Sequence, residues 1–396
     1  MNLFRQIGAV TMMNFKSLPH RVGTSIVIVI GIAGVVAVLV SVLAMSTGML
    51  ETMEHSGRDD RAIVLRNGSA SETGSAMSRD AARLVQDAAG VKRDSEGKPI
   101  ASAEALRLMN LFRKEDGAEV NVAVRGTGPQ LAKLRPEVKI IQGRMFQPAV
   151  TEMIVGKAAN AEFKDLNIGD KVRTCGATWT IVGVFTSGGD SHESGLMADA
   201  ETLIAADQRG GFQSVTVLLE SPAAFQKFKD ALTANPALAV DVSREREYYR
   251  RQSETIGKVI YVIAYVVGGI MAIGAIFSAL NTMYSAVSAR LREIATLRAI
   301  GFGATAMVMS VLAEALLLAF IGGAIGAAIA WLFFNGHQVS TSGGGAAAGH
   351  LIFELSVSPA LIATGIIWAC TIGLIGGLFP AVRAARLPVA TALRAI

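Results

Sequence analysis

The sequence predicts an α-helical membrane protein with four transmembrane helices and an extracytoplasmic α+β domain set between the first and second of them. Three observations carry this. Of the 396 residues 51% are hydrophobic, too many for an ordinary water-soluble chain of this length. Four stretches can cross roughly 30 Å of hydrocarbon, which takes about 20 apolar residues each. Between the first two lies a polar block of about 200 residues, long enough to bury a core of its own.

The elements follow in order. Residues 1–21 form a cytoplasmic segment in which Leu3, Ile7, Val10 and Phe15 fall near one helical face. They suit a helix lying along the inner membrane surface, or equally an extension of the first span, with Pro19 turning the chain. The first transmembrane helix is 22–48, a run without Asp, Glu, Lys or Arg. Its length favours a retained helix over a cleaved signal peptide, whose apolar region is shorter.

The domain at 49–242 mixes strand-like runs, RAIVLR (61–66), EVNVAVRG (119–126), TWTIVGVF (178–185) and SVTVLLE (214–220), with helix-like ones at 78–89 and 221–234. Ser221 and Pro222 read as a cap and first residue of the second helix. Residues 67–76, NGSASETGSA, read as a mobile loop, and a seam between two lobes is expected near Gln142 to Val150. The two cysteines, Cys175 here and Cys370 in the fourth span, lie on different levels of this topology, so the domain folds without an internal disulfide.

A helical stalk at 243–258 runs without a breaker into the second span, 259–286. Such a rod can transmit motion between the two sides, or it can simply cap and support the domain. A cytoplasmic coupling helix, 287–303, leads to the third span, 304–334. An extracytoplasmic loop, 335–355, the fourth span, 356–382, and a cytoplasmic tail, 383–396, complete the chain. Gly322 and Gly326, then Gly373 and Gly377, repeat a small-x-x-x-small spacing that lets helix backbones approach closely in lipid.

The net charge of +5 does not point to nucleic acid, because the large polar block is nearly neutral. The excess sits in short flanks: Arg5, Lys16 and Arg21, then Arg290, Arg292 and Arg298, then Arg383, Arg386 and Arg394. The loop 335–355 has neither Lys nor Arg. By the positive-inside rule both termini and the 287–303 segment are cytoplasmic and the large domain is outside.

Enzyme chemistry finds little to stand on. Zinc-protease, nucleophile-elbow, paired-cysteine and P-loop motifs are all missing from these 396 residues. Asp190, His192 and Glu193 share one glycine-flanked loop, which reads as a solvated turn before a metal site. Glu314 is the one ionisable residue well inside a span, and it is expected to reach the interface or cap a neighbouring helix before serving a proton relay. The stretch ARLREIATLRAIGFG (289–303) is different. Leu291, Ile294 and Ala295 share one side of a short helix while Arg292, Glu293 and Thr296 face the other, and Gly301 supplies the stop. That pattern suits either a docking helix or a lipid-headgroup anchor.

The run REIATLRAIG (292–301) resembles the Arg-Glu-Ile-x-x-x-Arg-Ala-x-Gly signature of the MacB/FtsX-like permeases of ABC transporters. GGLFPAVRAARLPVATALRAI (376–396) is similar to that family's ending. GRMF (143–146), EMIVG (152–156), NIGDKV (167–172) and WTIVGVF (179–185) are similar to its extracytoplasmic core domain. Pro388 follows Leu387 directly, one residue earlier than the family pattern, and Glu314 falls where the family commonly carries a glutamate.

The resemblance implies a dimeric permease subunit in a bacterial inner membrane. No cofactor is expected in this chain, with ATP and Mg held by a separate cytoplasmic ABC ATPase. ATP-driven closure of the ATPase pair would press on the coupling helix and move the outer domain, a mechanism called mechanotransmission. Arg290, Arg292, Glu293 and Arg298 are then the expected ATPase contacts, with Leu297 and Ile300 packing beside them. The expected cargo is a drug, peptide, lipid or lipoprotein. The FtsX branch offers the alternative of a regulator that activates an extracytoplasmic hydrolase. A second copy or a related permease, membrane lipid, a periplasmic adaptor and an outer-membrane channel are the other partners this family brings into view.

Overall fold

The computed structural model describes residues 3–17, 22–208, 210–343 and 349–386. Pro19, Pro388 and the tail beyond Arg386 lie outside the described residues. Two compact units emerge. A helical unit takes in the chain up to Thr47, Lys258–His337 and the residues from Leu355 onward, and an α/β unit takes in Gly48–Gly257 and Gln338–Glu354.

The chain opens with α1 (Leu3–Ser17) and α2 (Val22–His55), the latter running seven residues past the predicted end of the first span. The α/β unit then builds β1 (Arg61–Arg66), α3 (Arg79–Gln86), β2 (Ala101–Phe112), β3 (Glu119–Thr127), α4 (Leu131–Leu134), β4 (Lys139–Gly143) and β5 (Glu152–Gly156). It continues with α5 (Lys157–Glu162), β6 (Lys171–Thr174), β7 (Ala177–Thr186), β8 (Leu196–Asp199), α6 (Ala200–Asp207), β9 (Ser214–Leu218), α7 (Phe225–Thr233) and β10 (Val240–Arg244).

Ten strands form one sheet in the order β10-β1-β9-β2-β3-β8-β5-β7-β4, with β6 on β7. The long strand β2 is what joins its halves: Ala101–Glu104 pair with β9 and Ala105–Phe112 with β3. The α/β unit is not divided near 142–150: Gln142 and Gly143 end β4, paired with β7, and 144–150 continue without helix or strand. Alternation explains the core, since inward residues such as Val122, Val124, Met153, Val155 and Trp179 are buried in one cluster. Cys175 and Gly176, with φ of 47° and 74°, make the two-residue turn between β6 and β7 that positive φ values favour.

Helices form within both expected runs, 78–89 and 221–234, with shorter bounds. Ser78 caps α3, its hydroxyl accepting from the Ala81 N–H at 3.2 Å. Ser221 makes no such bond, and Pro222 opens a short 3-10 turn (Pro222–Ala224) before α7. The segment 67–76 is held down: Ser71, Glu72 and Ser75 are buried and the Ser75 hydroxyl accepts from the Arg66 N–H.

The remaining elements are α8 (Glu245–Ala289), α9 (Leu291–Ala299), α10 (Ala304–Phe334), β11 (Gln338–Gly343), β12 (Gly349–Glu354) and α11 (Pro359–Arg386). Ser243 and Arg244, assigned to the stalk by sequence, belong to β10, and the helix starts at Glu245. Four helices, α2, α8, α10 and α11, are long and apolar enough to cross a membrane. The 335–355 loop contains an antiparallel hairpin, β11 on β12, that is part of the α/β unit.

Inside the helical unit the glycine spacing places backbones in contact. A Cβ at Gly322 would lie 2.9 Å from the Val29 carbonyl oxygen, and one at Gly326 would strike the Ala33 carbonyl, so α10 meets α2 there. Gly373 faces Ala319 and Gly377 lies against Ala315, which closes α11 on α10.

Candidate functional site

The 287–303 stretch is not one helix, since 287–289 finish α8 and α9 is Leu291–Ala299, but the faces of α9 divide as the pattern predicts. In α9, Ile294 and Ala295 are buried and Leu291 is half-buried, while Arg292, Glu293 and Thr296 are exposed. Leu297 and Arg298 are half-buried, and Ile300 is 71% exposed. Gly301 ends the helix with φ of 104°, its N–H donating to the Arg298 carbonyl while Phe302 N–H donates to Leu297. Gly303 N–H donates to the Gln6 side chain at 3.1 Å, tying α1 to the start of α10.

Arg290 departs from expectation. It is 5% exposed, and its two terminal nitrogens donate to the two carboxylate oxygens of Glu314 at 2.9 and 3.0 Å. Glu314 is likewise 5% exposed and is not alone, its partner being the residue that precedes α9. Neither charge tolerates a low-dielectric setting unpaired, and the two-pronged match of guanidinium to carboxylate satisfies both. Arg290 is thus withdrawn from any docking face, and it fixes the joint between α8 and α9 against α10.

The α/β unit contains a second charged assembly, one that sequence reasoning missed. Glu245, in the first turn of α8 and fully buried, lies 2.6 Å from Arg61 of β1 and 2.7 Å from Arg135, which follows α4. Arg125 of β3 reaches Glu104 of β2 at 2.5 Å and Glu72 at 2.7 Å. Burial pushes the Glu72 carboxyl up, but the Arg125 guanidinium beside it more than offsets this and holds it at about 2. Burial likewise works against the Arg125 charge, yet Glu72 raises its pKa well above the usual arginine value. The assembly locks three strands and the beginning of α8 together. The sequence carried little signal for it, since Arg61 opens its strand and Glu104 and Arg125 share theirs with other polar residues such as Arg107 and Asn121.

The 187–195 loop is buried rather than solvated. Glu193 Oε1 accepts from the Thr186 hydroxyl at 2.6 Å, the Ser187 N–H at 2.6 Å and the Gly189 N–H at 3.0 Å. Asp190 contacts His192 Nδ1 at 3.1 Å, and His192 Nε2 faces the Tyr249 hydroxyl at 3.4 Å. Burial raises the Asp190 pKa and His192 lowers it, with a net fall. These side chains are used up in holding the loop, and no cluster suited to a metal ion occurs among the described residues.

The hairpin closes on the same loop. The Ser194 hydroxyl accepts from the Ile352 N–H at 2.9 Å and donates to its carbonyl at 3.2 Å. His350 Nε2 contacts Glu162 Oε1 at 3.0 Å and packs edge-on against Phe163.

Residues 22–235 match the MacB-like periplasmic core domain, and residues 265–389 match the FtsX-like permease C-terminal. The macrolide export ATP-binding/permease protein MacB of Rhodopirellula baltica is 25% identical over 425 aligned positions, covering 94% of this chain and 59% of the relative. The protein of the same name from Syntrophobacter fumaroxidans is 32% identical over 140 positions, covering 34% of this chain and 16% of its own length. The chain therefore spans well under two thirds of the length of these relatives. Among solved structures, the periplasmic region of MacB from Actinobacillus actinomycetemcomitans aligns with a TM-score of 0.37 at 15% identity, over 54% of this chain and 97% of that one. With the core-domain match covering more than half of its residues and the permease match following in order, the chain belongs to the MacB/FtsX-like family of ABC transporter permeases.

Proposed function

We propose that this chain is a permease subunit that turns ATP hydrolysis in a partner ATPase into movement of its α/β domain on the far side of the membrane. The observation that carries the reading is the division of labour around α9. Ile294 and Ala295 are buried, Arg290 is pinned by Glu314, and Arg292, Glu293, Thr296 and Ile300 are left on the exposed side. A pinned joint passes a push on α9 into α8 and α10 instead of dissipating it. The unbroken helix from Glu245 to Ala289, with its buried ionic anchor at Glu245, supports α8 as the element that carries the motion. The cargo class is a drug, peptide, lipid or lipoprotein moved without a polar route through the spans.

The FtsX-like match over residues 265–389 favours a second reading, in which the same motion activates an extracytoplasmic hydrolase. Copurification from native membranes tests the shared core of both. Wild type should retain a P-loop ATPase and its ATP hydrolysis, while Arg292→Ala with Glu293→Ala should lose it at unchanged thermal stability. Retention of the ATPase by the double variant would sink the docking assignment. A hydrolase recovered with the α/β domain would favour the regulator over the exporter.

A further inference from the structure

Asparagine is followed by glycine at two places in the chain, Asn67-Gly68 and Asn335-Gly336. The pairing matters chemically because glycine has no Cβ, so its main-chain nitrogen can come close to the side-chain amide carbon of the residue before it. Neither exposure nor backbone conformation separates the two pairs. All four residues are exposed, and Gly68 and Gly336 have φ of 78° and 75°. What separates them is hydrogen bonding.

Asn335 ends α10, and its side-chain Oδ1 accepts from the Val357 N–H at 3.1 Å. The Gly336 N–H donates to the Leu355 carbonyl at 2.9 Å. Both groups that would have to meet are therefore occupied. Asn67 and Gly68 form the turn that follows β1. The turn is held at its ends, where Asn67 N–H donates to the Ala239 carbonyl at 2.9 Å and Ser69 N–H to the Arg66 carbonyl at 3.1 Å. Between these bonds the Asn67 side chain and the Gly68 N–H have no hydrogen-bond partner among the described residues.

We infer that Asn67 is a site of spontaneous deamidation, from which the fold protects Asn335. The Gly68 nitrogen, its proton taken by solvent base, attacks Asn67 Cγ. An N–Cγ bond forms, the Cγ–Nδ2 bond breaks, and Nδ2 leaves as ammonia with a proton returned by solvent. The resulting succinimide takes up one water. Opening at the new N–Cγ bond leaves aspartate, whereas opening between the same nitrogen and the main-chain carbonyl carbon leaves isoaspartate, whose main chain runs through Cγ and is one atom longer. Either product places a negative charge beside the exposed Arg66. Isoaspartate also lengthens the chain between two fixed points, the Arg66 N–H on the Ser75 hydroxyl and the Glu72 carboxylate held by Arg125. The inference does not rest on ATPase docking at α9.

The test incubates the full chain in detergent at mildly alkaline pH and follows amide-to-acid conversion at both positions by peptide mass spectrometry. Position 67 should convert faster than position 335 by about tenfold or more, the factor expected when two hydrogen bonds must first break at the slower site. In the urea-unfolded chain the two rates should converge, because the chemistry of the neighbours is then alike. The native rate at 67 should rise with pH, since the attacking nitrogen must lose its proton. Enzymatic methylation specific for isoaspartate should label the aged wild type and label Asn67→Ser far less. Equal native rates at the two positions, faster conversion at 335, or no conversion at 67 in the time the unfolded chain needs would each overturn the inference. Undiminished labelling of Asn67→Ser would do the same, and the comparison of the two positions within the wild type stands even if that variant folds poorly.

Discussion

Arg290 holds both carboxylate oxygens of Glu314, 24 positions along the chain, with each residue 5% exposed. Removing one partner leaves an uncompensated buried charge, whereas removing both leaves a cavity that apolar groups fill. Glu314→Ala is therefore expected to cost about 3–5 kcal/mol, while Arg290→Met with Glu314→Leu stays close to wild type in stability. Thermal unfolding in detergent decides it. Equal melting of wild type and Glu314→Ala would remove the pair's structural role.

Glycine positions in the spans should separate by what faces them. A methyl at Gly326 would run into the Ala33 carbonyl and lie 3.0 Å from Val36 Cβ, while one at Gly269 meets nothing within 4 Å. Gly326→Ala is expected to destabilise by about 1–3 kcal/mol through overpacking. Gly269→Ala should stay within about 0.5 kcal/mol. The same melting assay ranks the two, and a reversed order would contradict the α2 to α10 contact.

Acid should loosen the α/β domain. Glu72 titrates at about 2 in the fold against an ordinary 4.5, so between these values the unfolded chain binds more protons. Its contribution is complete above about pH 5 and is lost as pH falls through 4.5 toward 2. Urea unfolding followed by the buried Trp179, with Trp331 and Trp368 changed to Phe, should show midpoints falling across that window. Glu72→Gln should flatten this slope, and an unchanged slope would count against the Arg125 pairing.

Ser194 is the clasp of the hairpin. Ser194→Ala strands the Ile352 N–H and carbonyl in a buried position, at a cost of about 1–3 kcal/mol. Hydrogen exchange at Ile352 should accelerate in the variant while β7 stays protected. Unaltered exchange at Ile352 would show that other contacts hold β12.

Much of this architecture could be read along the chain. The four spans are legible because crossing a bilayer depends on a local sum of hydropathy. The faces of α9 and the glycine spacing are legible because helical period alone sets which residues share a side. Its Gly301 stop needs only a backbone freed from Cβ. β1, β3, β7 and β9 stand out as short runs rich in β-branched residues, which is also local information. What sequence could not supply was the partner of each charge. Arg290 looked like its neighbours Arg292 and Arg298 until α10 brought Glu314 against it. Asp190, His192 and Glu193 looked solvated because polar residues between glycines usually are, and only the surrounding strands and α8 turn that loop inward. The 335–355 segment carried no pattern that would send it to the α/β unit. The division of β2 between β9 and β3 is likewise a property of the sheet. Periodicity and composition act between near neighbours and are written in order, whereas burial, ion pairing and strand partnership join distant residues and are decided only when the chain has closed on itself.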